Sequence, residues 1–149
     1  MKILVTITFT CFFFLSEAQT IIGKWKMVGM KSGKERSLIR IYEKDGKYFG
    51  KVVEVYPKEG DDPDPVCDEC EDYRKDQPIV GMDIITDLEY NGRNGEYKGG
   101  EILDPATGSV YDCKAWLGKD GYLRVRGYLF FIGKTYVLPK YVENEGSDS

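Results

Sequence analysis

The sequence predicts an all-β fold, a single antiparallel up-and-down barrel of about eight strands. Three features carry that expectation. Short runs alternate apolar and polar residues, and no segment keeps a helical period. Turn signals fall regularly between the runs: Lys31-Ser32-Gly33-Lys34, Lys44-Asp45-Gly46-Lys47, the Asn91-Gly92 and Asn94-Gly95 pairs, Asp104-Pro105-Ala106-Thr107-Gly108 and Lys119-Asp120-Gly121. Gly50, Gly81, Gly99, Gly100 and Gly127 lie inside strand patterns, where glycine marks the bends and close approaches a small barrel needs. A two-sheet sandwich is the alternative. Closure is preferred because it removes the sheet edges.

The chain from Lys98 to Phe131 shows the pattern most clearly. Its last strand puts Leu123, Val125, Leu129 and Phe131 on one face with Gly127, and Arg124, Arg126 and Tyr128 on the other. Before it, Tyr111, Cys113, Ala115 and Leu117 oppose Asp112, Lys114 and Trp116.

From the N-terminus, residues 1–18 read as a signal peptide. Lys2 begins it, Ile3 to Leu15 is apolar, and Ser16-Glu17-Ala18 fits a small-x-small cleavage site before Gln19. The apolar run is shorter than the roughly 20 residues of a membrane span. A lipoprotein reading through Cys11 is weaker, because Thr8-Phe9-Thr10 is a poor lipobox. The expected layout is a signal peptide at 1–18, a barrel at 19–142 and a disordered polar tail at 143–149, with the protein exported to a periplasm or secreted. Within the barrel the expected strands are Trp25 to Met30, Ser37 to Glu43, Tyr48 to Tyr56, Ile79 to Glu89, Glu96 to Leu103, Val110 to Leu117, Tyr122 to Phe131 and Thr135 to Tyr141.

Composition excludes several functions. The formal net charge is −4 and there is no histidine, which removes serine–histidine and cysteine–histidine catalysis and the commonest transition-metal ligand. Eight acids and no base fall between Glu59 and Asp72. An acidic chain with no basic stripe is a poor nucleic-acid partner. No catalytic residues, metal or cofactor are assigned. The strand acids Glu54, Asp83, Glu101 and Asp112 do not pair convincingly for glycoside hydrolysis.

Cys67-Asp68-Glu69-Cys70 admits three readings. A redox pair needs a depressed thiol pKa, which the neighbouring acids oppose. A zinc site would need Cys113 and a carboxylate. The preferred reading is a Cys67–Cys70 disulfide with Cys113 free and inward-facing, although a bridge to Cys113 would close a longer loop and gain more chain entropy. The acids of Glu59 to Pro65 offer oxygen ligands for calcium, but two prolines stiffen the run and simple solvation is preferred. The long loop from Pro57 to Pro78 is expected at the barrel mouth, its acids disfavouring anionic ligands.

Gly23-x-Trp25 is similar to the opening motif of lipocalin-like barrels, in which the tryptophan closes the lower end and stacks on an arginine from a late strand. Arg126 is the matching arginine. Further along come Ser37-x-Ile39-x-Ile41-Tyr42, Asp45-Gly46-Lys47-Tyr48-x-Gly50, Cys67-x-x-Cys70, Pro78-Ile79-Val80-Gly81, Gly99-Gly100-x-Ile102-x-Asp104-Pro105-x-x-Gly108-x-x-Tyr111 and Val125-Arg126-Gly127-Tyr128. Together they resemble the exported bacterial domain-of-unknown-function family 2147. That resemblance implies a lipocalin-like β-barrel outside the cytoplasm and no particular activity. The chain departs from the family at Gly133-Lys134-Thr135-Tyr136-Val137-Leu138, where many members carry an arginine and a tryptophan.

The functional expectation is non-enzymatic binding of a small, partly apolar molecule or a cell-envelope component. Trp25, Tyr42, Tyr111, Arg126 and Tyr128 are the candidate ligand-binding residues. The competing reading is a filled barrel that acts as an interaction module through its acidic loop or exterior, its protein partner unspecified.

Overall fold

The computed structural model describes residues 20–143. The expected signal peptide, and the tail beyond Glu143, lie outside the described residues. Eight strands follow one another: β1 (Gly23–Val28), β2 (Glu35–Lys44), β3 (Lys47–Val55), β4 (Asp83–Asn91), β5 (Glu96–Asp104), β6 (Ser109–Leu117), β7 (Leu123–Leu129) and β8 (Ile132–Leu138). Each pairs antiparallel with the next in sequence, giving one meander in the order β1 to β8. No helix interrupts it among the described residues.

The sheet closes on itself just past β8. Lys26 N–H donates to the Pro139 carbonyl and Tyr141 N–H to the Lys24 carbonyl, both at 2.9 Å, so that Trp25 bridges Lys140. The fold is thus a nearly closed antiparallel barrel, as the alternation and turn signals predict.

Several strand boundaries are shifted from expectation, β1 to Gly23–Val28 and the end of β8 to Leu138 among them, and two of the shifts have clear local reasons. Ile79 to Met82 form a turn rather than the start of β4: Met82 N–H donates to the Ile79 carbonyl at 3.1 Å, and Gly81 takes φ 91°. The last hairpin turns at Phe130-Phe131, not at Gly133. Phe130 takes φ 56°, and Gly133 is drawn into β8 opposite Tyr128. Any Cβ at Gly133 would lie 2.7 Å from the Tyr128 Cβ, so glycine serves close packing there, not turning.

Period-2 alternation fills only part of the interior. At the closed end, Ile21, Trp25, Ile39, Ile41, Ile85, Leu88, Ala115, Leu123, Val125 and Leu138 form a solid core. The Trp25 indole N–H donates to the Ile21 carbonyl at 2.8 Å, which satisfies its one polar atom inside that core.

Arg126 does not stack on Trp25. It alternates with the buried Val125, faces outward from β7, and donates to the Thr135 hydroxyl at 3.1 Å. A side chain on the outer wall does not reach an indole on the inner one, so closure rests on backbone pairing and the indole's own packing. Trp25→Ala is therefore expected to cost about 3–5 kcal/mol in urea denaturation, as a large core truncation. Arg126→Lys should stay within about 0.5 kcal/mol of the parent, as for an ordinary surface exchange.

Candidate functional site: a cavity at the barrel mouth

Above the closed-end core the barrel is hollow. A cavity of about 1270 Å³ opens at the end that carries the β1–β2, β3–β4, β5–β6 and β7–β8 connections. Its wall is mainly apolar: Met27, Val52, Val55, Ile79, Ile84 and Ile102 from β1, β3, the approach to β4, β4 and β5, with Tyr111 and Tyr136 from β6 and β8. Gly127 leaves room on β7, and a Cβ there would press on the Ile102 Cγ2 at 3.0 Å. Small-molecule pockets usually span roughly 300–1,000 Å³ and pair an apolar wall with a few polar groups. This one is large enough, and its polar groups sit at the rim.

The rim charges are not those the sequence suggests. Lys31, Arg36, Lys58 and Lys134 line the mouth, against Asp68 and Asp104. Of the eight acids between Glu59 and Asp72, Asp68 alone borders the cavity. Asp72 is engaged by Arg74 and the rest are exposed away from the opening. The expected repulsion of anions at the entrance is thus replaced by a predominantly cationic rim. Sequence position put the acids in the right loop, but not on its cavity side.

That loop is pinned rather than loose. Residues 65–67 and 77–79 pair through Val66 and Pro78, with Cys67 N–H donating to Gln77 and Ile79 N–H to Pro65, both at 2.9 Å. Cys67 and Cys70 form the disulfide, S–S 2.02 Å, and Cys113 is free and buried. The bonded sulfurs rule out the zinc alternative. The disulfide segment presses on the β5–β6 turn so closely that any Cβ on Gly108 would meet the Glu69 carbonyl oxygen at 1.8 Å.

Arg74 is the second anchor. It is the one buried charged residue among those described, and sequence reasoning did not single it out. Its Nη2 lies 2.6 Å from Asp72 Oδ2 and its Nη1 donates to the Asp83 carbonyl at 3.0 Å, tying the loop to the start of β4. An arginine among many acids gives no sequence signal for which carboxylate it will hold.

The candidate residues separate into two groups. Tyr111 lines the cavity and Tyr128 borders both the mouth and an outer groove. Trp25 lies in the closed-end core, and Arg126 lines only the outer groove. Tyr42 stacks on Phe49 outside the cavity and donates to Asp83 Oδ1 at 2.8 Å. Burial and that hydrogen bond push its phenol up to about 12. Strand alternation explains the split: Ile41 points inward, so Tyr42 points out.

The Arg74 hydrogen bond holds the Asp72 carboxyl below the usual carboxylate range. A depressed folded pKa means that its stabilisation is complete above the unfolded pKa, about 4, and is lost as pH falls below it. Limited proteolysis within residues 57–82 should therefore accelerate as pH drops through that window, and Asp72→Asn should be fast and flat across it. Burial pushes the Cys113 thiol up to about 12. An alkylating reagent should therefore leave Cys113 unmodified in the native protein at neutral pH and react only on denaturation.

The comparisons with known proteins agree with this geometry. No curated protein matches the chain. Among solved structures, protein HP1028 from the human pathogen Helicobacter pylori, described as belonging to the lipocalin family, superposes with a TM-score of 0.71 at 18% identity, covering 85% of this chain and 86% of that one. At that identity the likeness shows a shared lipocalin-like fold. The family model described as "Uncharacterized protein conserved in bacteria (DUF2147)" matches residues 23–140, and the chain belongs to that family.

Proposed function

We propose that this protein is an exported, non-enzymatic carrier that holds a small, largely apolar molecule in the barrel cavity. The observation that carries the reading is the cavity itself: about 1270 Å³, walled by aliphatic side chains and open at one end. A filled barrel serving as an interaction module would have large side chains meeting at the axis throughout, and here they meet only at the closed end.

Tyr111, with Tyr136 on the same wall, is the candidate aromatic placed to touch a ligand, with Tyr128 at the edge of the mouth, in preference to Trp25, Tyr42 and Arg126. The rim cations Lys31, Arg36, Lys58 and Lys134 favour a neutral or anionic polar end. Export is supported by the disulfide and by the leader-like residues 1–18. No helix among the described residues is long and apolar enough to cross a membrane.

Native mass spectrometry of protein purified from its own host tests the reading directly. A retained small molecule is expected, displaceable by an apolar fluorophore such as anilinonaphthalene sulfonate. Val55→Trp, which projects an indole into the cavity, should weaken fluorophore binding by about tenfold or more, corresponding to about 1.4 kcal/mol, with the barrel still folded by circular dichroism. Unchanged binding in the folded variant would place the ligand elsewhere and remove the proposal.

A further inference from the structure

The β7–β8 hairpin tip exposes its apolar side chains: Leu129 is 53% exposed, Phe130 85%, Phe131 89% and Ile132 71%. Nothing in the turn calls for phenylalanine. Two-residue hairpin loops favour glycine, asparagine and aspartate, because they need left-handed backbone. Phe130 takes φ 56°, a conformation that is unfavourable for a bulky side chain and free for glycine. Folding alone would select a small or polar residue here. The position is unfavourable twice, by backbone conformation and by hydration.

Met30, at 59% exposed, extends the patch onto the β1–β2 connection, which lies beside β7–β8 around the closed barrel. The charge around the patch has one sign. Residues 29–34 and 129–134 contain Lys31, Lys34 and Lys134 and no acid. Directly outside the tip, a groove of about 320 Å³ is lined by Lys98, Lys114, Arg126, Tyr128, Phe130 and Phe131. Glu96 lies 2.7 Å from the Lys98 amine and 3.5 Å from that of Lys114, and Asp112 stands opposite Tyr128. Glu101 in turn stands opposite Asp112, so three acids face these three cations and Lys134, and the excess positive charge lies on β7 and β8, at Arg126 and Lys134 beside the tip. Among the described residues, Arg126 has the Thr135 hydroxyl as its side-chain partner and no carboxylate within ion-pair reach. Of the mouth's two acids, Asp68 belongs to the connection between β3 and β4 and Asp104 ends β5.

We propose that the Phe130-Phe131 hairpin docks the barrel mouth onto a bilayer bearing anionic headgroups. The phenyl rings and Ile132 enter the acyl boundary while Lys98, Lys114, Arg126 and Lys134 meet headgroup phosphates. Apolar residues ringed by cations are the pattern that binds membrane interfaces. A second copy of the chain is a poorer occupant, because pairing two tips would set these cations against each other. Docking in this orientation would also open the cavity toward the lipid, letting an apolar ligand pass without crossing water; that consequence, unlike the docking, rests on the carrier reading.

The test is cosedimentation of purified protein lacking residues 1–18 with vesicles of phosphatidylcholine alone or mixed with phosphatidylglycerol. Binding is expected to the mixed vesicles, to weaken with added salt, and to fall by about tenfold or more in Phe130→Asn/Phe131→Ser. Phe130→Asn alone should keep or raise the melting midpoint, since asparagine tolerates the left-handed turn, so lost binding would not be lost folding. Lys98→Gln/Lys114→Gln should weaken binding to the mixed vesicles selectively. Val55→Trp, with its cavity obstructed, should still bind vesicles, which separates failure of the carrier reading from failure of docking. Absence of binding by the folded parent, or equal binding by the Phe130→Asn/Phe131→Ser variant, overturns the proposal. Tip-dependent dimerisation in sedimentation velocity without vesicle binding would overturn it too, and would assign the patch to a second copy.

Discussion

The structure depends on closing a meander whose first and last strands would otherwise be edges. Two backbone hydrogen bonds, from Lys26 to Pro139 and from Tyr141 to Lys24, convert an open eight-stranded sheet into a barrel. The segment that makes them lies just beyond β8, so closure comes late along the chain. Contacts so far apart in sequence are slow to form and carry a loop-closure cost until the core rewards them. The reward lies nearby: Trp25 is the β1 residue that bridges Lys140, and it packs against Ile21 and the closed-end aliphatics. Closure and core therefore form one cooperative unit, and the mouth is built on top of it.

That division explains how a barrel of this size tolerates a hollow half. A dry void would be expensive, because its wall would lack packing partners. An opening to solvent exchanges that penalty for the hydration of apolar side chains, which an apolar ligand relieves by displacing the water. The hollow is shaped by small decisions in the sequence, among them Gly127 on β7 facing Ile102 and the turn at Gly81 that keeps Ile79 out of the β4 ladder. The disulfide loop contributes by clamping its own backbone onto the β5–β6 turn at Gly108, so the acidic connection borders the mouth without filling it.

The sequence carries most of the architecture and little of the site. Alternation and turn chemistry are local, and they place eight strands in order with shifted boundaries, most plainly where a residue behaves against type. Phe130 turns where glycine is expected to, and Gly133 stays extended where a turn is expected. The cysteine pairing is legible because Cys113 shares a strand face with Ala115 and the other two sit on a loop. Side-chain direction on a strand is legible too, and should have kept Arg126 away from Trp25, since Val125 beside it already claims the interior. What no local rule supplies is which acids of a long loop face a cavity, or that Arg74 will be buried with Asp72. Those depend on how the loop folds back across the barrel.

Hydrophobic burial drives the fold, yet among the described residues the most exposed large apolar side chains, Phe130 and Phe131, sit together at one tip. Single exposed apolar residues are ordinary, whereas a contiguous group calls for a partner. Here the same tip also breaks the backbone preference for its turn and adjoins a cationic groove, so three independent terms point one way. Local conflicts with folding preference are expected where a protein serves something other than its own stability. The conflict lies at the mouth of the cavity and not at the closed end, where sequence preference, packing and hydrogen bonding agree. The tip borders the same opening as the apolar cavity, which couples the chemistry of the rim to that of the interior.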